Sequence, residues 1–213
     1  PTFARIANPL GWTMKQLVSI AFAFGLIVAG AASAADGTPT RVRGTIDQVE
    51  GQVLHITGRT GEKVTVTMAP GVKISEVAKI DISAIKPNSY IGTAAAPLPN
   101  GDLKALEVHV FPESMRGTGD GHRPFDLGPN STMTNGTVGN VVGSSDRTLT
   151  VKYEGGEKKI EVPADVPIVT FEPGSAADIK PGAKVIIFGM KAADGSLMTE
   201  RVSVGKDGLT PPM

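Results

Sequence analysis

The chain has 213 residues, of which 40% are hydrophobic, and its 26 glycines and 16 prolines favour many turns over long helices. Basic and acidic residues both number 21, so the composition does not indicate electrostatic capture of nucleic acid. The chain contains no cysteine, which excludes disulfides, thiolate metal sites and thiol nucleophiles.

Residues 14–34 have the three parts of a secretory signal peptide. Lys15 supplies the positive charge, and residues 17–30 form the apolar core. Ala32 and Ala34 form a small-residue cleavage site, and we expect cleavage after Ala34. The alternative is an uncleaved membrane anchor, although the apolar core is near the lower length limit for spanning a bilayer.

Cleavage at this site would change the charge of the protein only slightly. It removes two of the 21 basic residues and none of the 21 acidic ones, which leaves a net charge of about −2. Residues 1–13 precede the signal peptide and are interpreted as an upstream extension outside the fold. We therefore expect a periplasmic or secreted protein that meets the membrane only transiently, through its signal peptide.

Two parts of the chain, residues 43–111 and 135–205, match each other with a nearly constant spacing. A spacing of roughly 90 residues indicates a duplicated domain, because solenoid repeats have periods of only about 20–50 residues. The matched segments are Gly44-Thr45-Ile46 with Gly136-Thr137-Val138, Gly61-Glu62-Lys63 with Gly156-Glu157-Lys158, Ile85-Lys86-Pro87-Asn88 with Ile179-Lys180-Pro181-Gly182, and Asn100-Gly101-Asp102-Leu103 with Asp194-Gly195-Ser196-Leu197.

Several of these matches lie at predicted turns. Asn100-Gly101 and Asp194-Gly195 are suited to two-residue type I′ hairpins, in which both central residues need a positive φ. The segments at residues 86–88 and 180–182 fit type II turns, because proline sets the first φ and Asn or Gly accepts the left-handed position. The chain is therefore predicted to be divided by sharp turns at the same places in both halves.

The segments between the turns alternate apolar and polar residues, which is typical of half-buried antiparallel strands. Leu106, Val108 and Val110, for example, are predicted to point inward. Each half gives three strands, a short helical turn and two more strands, which is the order of an OB-type barrel. The predicted fold is thus all-β, with two tandem five-stranded OB-like barrels after a signal peptide. The predicted parts are barrel 1 at residues 35–110, a connecting loop at 111–135, barrel 2 at 136–205 and a C-terminal tail at 206–213.

Four sequence features together resemble a known small domain. They are V-x-G-T-I near the start, G-E-K before the third strand, I-K-P-[NG] before the fourth and an NG or DG hairpin. The domain that they resemble is an OB-like domain of unknown function that is found in signal-peptide-bearing bacterial proteins. The resemblance covers both halves of the chain and depends on turn and core residues. It implies the fold and export of the protein rather than an activity.

The predicted connecting loop contains most of the unusual polar residues. A structureless loop of this length is uncommon in compact proteins and is usually functional or disordered. The glycines between its two arginines fit either a flexible hinge or a backbone nest that holds a small anionic ligand. The candidate ligand-binding residues are Arg116, Gly117, Gly119, Gly121 and Arg123.

A second hypothesis concerns a divalent metal ion. His109 is predicted on the solvent face of its strand, shortly before Glu113. If the loop folds back, these two residues and the loop residues Asp120 and His122 would form a site of nitrogen and oxygen ligands. The spacing matches no recognised ligand pattern, and His55 is interpreted as a surface residue.

The function that these observations favour is a non-enzymatic periplasmic binding or scaffold protein. It would contact an unknown envelope protein or a small anionic ligand through the loop, and the alternative is a metal-handling protein. Nucleic acid is not an expected partner, because aromatic residues are few and no basic groove is indicated. Hydrolase chemistry is the third candidate, but the chain has no G-x-S-x-G, H-E-x-x-H or P-loop motif.

Overall fold

The computed structural model of the protein describes residues 37–142 and 147–213. The predicted extension and signal peptide lie outside the described residues. Residues 37–142 and 147–213 belong to one compact unit. None of the described residues belongs to a helix with the length and hydrophobicity needed to cross a membrane.

The fold is all-β, which confirms the fold class predicted from the alternating pattern. Twelve strands form one continuous hydrogen-bonded sheet. The first six are β1 Gly37–Glu50, β2 Val53–Gly58, β3 Lys63–Lys79, β4 Tyr90–Pro97, β5 Leu103–Val110 and β6 Gly121–Pro124. The others are β7 Thr132–Val142, β8 Thr148–Tyr153, β9 Gly156–Glu161, β10 Ile168–Pro173, β11 Lys184–Ala192 and β12 Leu197–Gly205. Short 3-10 turns lie at Ile82–Ala84, Glu113–Met115, Ala176–Asp178 and Lys206–Gly208.

Five of these strands form a closed barrel in the order β12, β11, β1, β2, β3. Neighbours along this order are antiparallel, and a parallel pairing between β12 and β3 closes the barrel. Because successive side chains on a strand point to opposite faces, one apolar set per strand fills the interior. Core residues include Ile46, Leu54, Ile56, Val66, Ile187 and Val202.

Five other strands form a second set in the order β5, β4, β7, β8, β9. Neighbours along this order are antiparallel. β5 also pairs in parallel with β9, over two residue pairs. A separate apolar cluster fills this set and includes Ile91, Ala105, Val108, Leu149, Val151 and Ile160.

The strand partners cross between the two halves of the chain. β1 pairs with β11 and β7 pairs with β4, so each set combines strands from both halves. The arrangement of two tandem barrels, each made from one half, is not confirmed. The backbone groups of a strand edge are chemically alike in both halves, so the sequence pattern does not state which half supplies the partner.

Strands β3 and β10 connect the two sets. They are antiparallel to each other, with Val77 opposite Phe171. β10 also pairs in parallel with β5, and β3 does so with β12. The middle of the molecule is therefore a four-strand region in the order β5, β10, β3, β12, with both outer strands parallel to their neighbours.

The two predicted type II turns are confirmed. Asn88 and Gly182 have positive φ values of 69° and 85°, and each turn has the expected hydrogen bond between its first carbonyl and its last N–H. The prediction of type I′ hairpins is wrong, because only Gly101 and Gly195 have a positive φ there. The Asn100 and Asp194 side chains accept hydrogen bonds from backbone N–H groups two residues later, which stabilises a turn with a single left-handed glycine.

Two matched glycines occupy equivalent close approaches between strands. A Cβ on Gly44 would lie 2.3 Å from the carbonyl oxygen of Thr57. A Cβ on Gly136 would lie 2.3 Å from the carbonyl oxygen of Lys152. Both positions therefore require glycine for steric reasons.

The predicted connecting loop has more structure than its sequence indicates. It contains a 3-10 turn and β6, and its last residues begin β7, which pairs with β6. β6 is only four residues long, which is too short to show a periodic pattern. Ser131 also closes the loop, because its hydroxyl donates to the carbonyl oxygen of Phe125 at 2.9 Å.

Candidate functional site

A cavity of about 210 Å³ lies where strands of both sets meet the segment 111–135. Its walls are mainly apolar, as is usual for small-molecule sites. The apolar lining residues are Phe111, Phe125, Phe171, Phe188, Met115, Met133 and Met213. The polar lining residues are Arg41, Ser75, His109, Thr118, Arg123, Asn135, Arg201 and Ser203.

A buried carboxylate is hydrogen-bonded to an imidazole that lines the cavity. Glu107 is completely buried and His109 is 4% exposed. The two carboxylate oxygens of Glu107 lie 3.1 and 3.2 Å from Nδ1 of His109, and one of them also accepts a hydrogen bond from the Ala94 N–H at 2.8 Å. The carboxylate only accepts hydrogen bonds, so Nδ1 is the donor of this pair. The contact orients the imidazole ring.

A β-bulge explains why these two side chains lie on the face opposite the core of their set. The register between β4 and β5 shifts at Ala94, so that Ala105 and Val108, three residues apart, both face the core. Glu107 and His109 then point to the opposite face. Leu106 lies at the bulge and is only partly buried, so the prediction that it shares the inward face of Val108 is wrong.

His109 does not face solvent, which corrects the prediction from its sequence. The outer face of its strand is covered by other parts of the protein. The imidazole makes edge contacts with Phe111 and Phe171, at centroid distances of 4.7 and 5.9 Å. Alternation identified the correct face of the strand, but it does not reveal whether another element covers that face.

Gly92 leaves the space that the His109 ring occupies. A Cβ at Gly92 would lie 2.1 Å from Nε2 of His109 and 2.6 Å from Oδ1 of Asn135. These two atoms, from β5 and β7, are therefore brought together over the glycine of β4. Asn135 is 4% exposed, and its Nδ2 donates to the carbonyl oxygen of Thr118 at 3.0 Å.

Two polar atoms at the cavity are buried without a hydrogen-bond partner. One is the acceptor Oδ1 of Asn135, and the other is the donor Nε of Arg41. Among the described residues, the only other such side-chain atom is Oγ1 of Thr132. Buried polar groups are normally hydrogen-bonded, because an unpaired one costs about 1–3 kcal/mol. Two of the three exceptions therefore belong to residues that line one cavity.

The charged groups at the cavity are all cationic. Arg41, Arg123 and Arg201 line it, and the described lining residues include no Asp or Glu. The Arg41 guanidinium lies 4.4 Å from the ring centre of Phe125 and 5.2 Å from that of Phe188. These contacts hold the guanidinium in place by cation–π attraction.

Asp126 attaches the segment to β1. Its carboxylate contacts Arg41 at 2.5 Å and accepts hydrogen bonds from Arg43 at 2.8 and 3.1 Å. These hydrogen bonds and the two positive charges lower the pKa of Asp126 to about 2. On the other side of the segment, burial and then the charge of Asp120 raise the pKa of Tyr90 to about 12.

The structure brings two of the five predicted anion-binding residues to the cavity, Gly119 and Arg123. Arg123 donates to the Gly119 carbonyl oxygen at 2.7 Å. Arg116 is elsewhere and forms an ion pair with Glu113, as well as a hydrogen bond to the carbonyl oxygen of Asn88. Gly117 and Gly121, like Gly119, have the positive φ expected of a nest, but neither lines the cavity.

The four predicted metal ligands are not brought together. His109 faces Glu107, and Glu113 pairs with Arg116, which lowers the pKa of Glu113. No group of three or more His, Asp or Glu side chains with metal-binding geometry occurs among residues 37–142 and 147–213.

The other two members of this set have partners of their own. Asp120 accepts from the Glu154 N–H at 2.7 Å and from the Tyr90 hydroxyl at 3.3 Å. His122 contacts Oγ1 of Thr134 at 2.8 Å, and burial followed by the charge of Lys158 lowers its pKa. Each residue thus stabilises the segment against the strands beside it.

Sequence reasoning missed Glu107, Asn135 and Arg41. Glu107 carried little signal, because a polar residue between Leu106 and Val108 is what the alternating pattern of this strand already predicts. Asn135 had none, since it was counted as the end of a loop. Comparisons of the chain with protein-family models, with curated proteins and with solved structures found no match.

Proposed function

We propose that the protein is a binding protein for a small organic anion, which enters the cavity described above. The observation that carries the proposal is the unpaired, buried Nε donor of Arg41 in a cavity with three arginines and no acid among its described lining residues. A carboxylate accepts hydrogen bonds from guanidinium groups and compensates their charge. The apolar walls accommodate the rest of the ligand.

The size of the cavity limits the ligand. Its volume of about 210 Å³ is below the roughly 300–1,000 Å³ of sites for drug-sized molecules. A single ring or a short chain with one acidic group is the size that fits. This favours a small metabolite over an envelope protein as the partner.

The wider setting is also a proposal. We infer that the two strand sets are OB-like barrels that arose by duplication and exchanged their last two strands. The matching bulges in β1–β2 and β7–β8, and the matched glycines at Gly44 and Gly136, support this. Export to the periplasm or the medium is supported by the pattern at residues 14–34.

Calorimetric titration with benzoate and with benzyl alcohol tests the binding function. The two molecules share a ring and differ in charge, so we expect saturable binding of benzoate and at least about tenfold weaker binding of the alcohol. Equal affinity would contradict the role of the arginines. Absence of binding by benzoate and by all of its hydroxylated derivatives would overturn the proposed function.

Variants of two arginines provide a matched pair. Arg41→Met keeps an unbranched side chain but removes the charge and the unpaired donor, and we expect benzoate affinity to fall about tenfold or more. Arg116→Met makes the same change outside the cavity and is expected to leave the affinity unchanged. If the Arg116 variant loses affinity as much as the Arg41 variant, the ligand binds on the exposed segment instead.

A further inference from the structure

We infer that the ligand of the cavity is a hydroxylated aromatic acid, and that Asn135 and His109 recognise its hydroxyl group. The inference rests on the proposed function, since it names the class of anion. It begins from the polar wall of the cavity, which the arginines do not explain.

Asn135 requires a hydrogen-bond donor from the ligand. Its Nδ2 donates to the carbonyl oxygen of Thr118, which sets the orientation of the amide. Its Oδ1 is therefore turned away from Thr118 and is buried without a partner. A carboxylate ion has no proton to offer this atom, so a simple acid leaves it unsatisfied.

His109 narrows the choice to a hydroxyl. Because Nδ1 donates to Glu107, the ring offers Nε2 as an acceptor, or as a second donor when it carries another proton. Nε2 and Oδ1 of Asn135 lie 2.1 and 2.6 Å from the point where a Cβ at Gly92 would stand, so the two atoms are neighbours, and both residues line the cavity wall. A hydroxyl suits this place because it both donates and accepts, and it can therefore bind Oδ1 and either form of the imidazole.

A cation lies close to the same amide. A Cβ at Gly119 would be 3.0 Å from Nη2 of Arg123 and 3.1 Å from Nδ2 of Asn135. The cavity thus combines a hydroxyl-binding wall with guanidinium groups. The ligand needs both an acidic group and a hydroxyl on one small body.

The apolar lining favours an aromatic body. Phe111 and Phe171 are stacked at a centroid distance of 5.8 Å, and Phe125 and Phe188 lie against Arg41. Phenyl side chains make favourable offset and edge contacts with a further ring. Hydroxybenzoates have the required size, charge and hydroxyl group.

The test compares benzoate with 2-, 3- and 4-hydroxybenzoate by calorimetry on the purified protein. We expect one isomer to bind about three- to tenfold more tightly than benzoate, as one net hydrogen bond allows. If benzoate binds and no isomer exceeds it, the inference is overturned while the proposed function stands. If none of the four binds, the proposed function has failed as well.

Asn135→Ala separates recognition from a structural role. It should remove the preference for the hydroxylated isomer while benzoate itself still binds, because the arginines are retained. Asn140→Ala makes the same change at an exposed position of the same strand and should keep the preference. A preference that survives in the Asn135 variant would overturn the assignment, and the four-ligand comparison decides the matter if that variant does not fold.

Discussion

Strands β5 and β12 have similar positions but different chemistry. Each is paired with an antiparallel neighbour across a β-bulge, and each is parallel to a strand of the middle region. β5 presents His109 to the cavity, with Glu107 hydrogen-bonded to it, whereas the residues 94 positions later on β12 are Arg201 and Ser203. One strand supplies a buried hydrogen-bonded pair, and the other supplies an exposed cation and a small hydroxyl.

The residues opposite His109 and Ser203 differ in size, and the larger side chain has the smaller partner. His109 lies opposite Gly92 on β4, and Ser203 lies opposite Ile186 on β11. The glycine gives the imidazole room, while the isoleucine is fully buried beside a small serine. Cross-strand neighbours pack against each other, so one backbone pattern accommodates either a polar wall or an apolar core.

The strongest test of this comparison is Glu107→Ala. The change leaves the Ala94 N–H and the His109 Nδ1 without their acceptor in a fully buried site, and we expect a loss of about 3–5 kcal/mol in the free energy of unfolding. Arg201→Ala, on the exposed counterpart, should cost no more than about 0.5 kcal/mol. Denaturant unfolding measures both values, and equal losses would mean that the two strands do not differ as described.

Gly92→Ile gives β4 the isoleucine that β11 has at Ile186. We expect it to lower the free energy of unfolding by about 1–3 kcal/mol, because the side chain overpacks against His109 and Asn135. Adding His109→Ser reproduces the β11–β12 pair and should restore part of the stability. Gly128→Ala serves as the control, because its Cβ would meet only an ordinary contact at 3.9 Å. If the double variant were less stable than the single one, size compensation across the pair would be refuted.

The smallest expected effect on stability concerns Asp126, which contacts Arg41 beside the cavity. The pKa of Asp126 is lowered to about 2, so its charged form stabilises the folded state above the unfolded pKa of about 3.9. This contribution is lost as the pH falls from about 4 towards 2. Since the side chain is 52% exposed, we expect less than about 1 kcal/mol.

Asp126→Asn should therefore flatten the pH dependence of stability between about pH 4 and pH 2, measured by chemical denaturation in steps of pH. Glu200→Gln, an exposed position on β12, should leave the slope unchanged in this range. An unaltered slope in the Asp126 variant would show that its contacts with Arg41 and Arg43 do not couple to folding.

Much of the fold could be predicted from single residues. Local backbone rules predict the type II turns at Asn88 and Gly182 and the short helical turns before β4 and β11. Alternation predicts the inward face of Val202 and Val204. The site could be predicted only in part. Gly119 and Arg123 were identified, whereas Glu107 and Asn135 were not, because their meaning depends on residues distant in the chain.

The amino-acid sequence by itself determined the turns at Asn88 and Gly182 and the alternating faces of several strands, since proline, glycine and alternating side chains act on their own backbone. The tertiary structure alone decided that β1 joins β11, that the bulge at Ala94 turns Glu107 and His109 away from the core of their set, and that segment 111–135 lines the cavity beside His109. The physical reason is that hydrogen bonds along a strand edge are nearly independent of side-chain identity. Packing between distant residues, rather than local pattern, therefore selects the partners and creates the cavity.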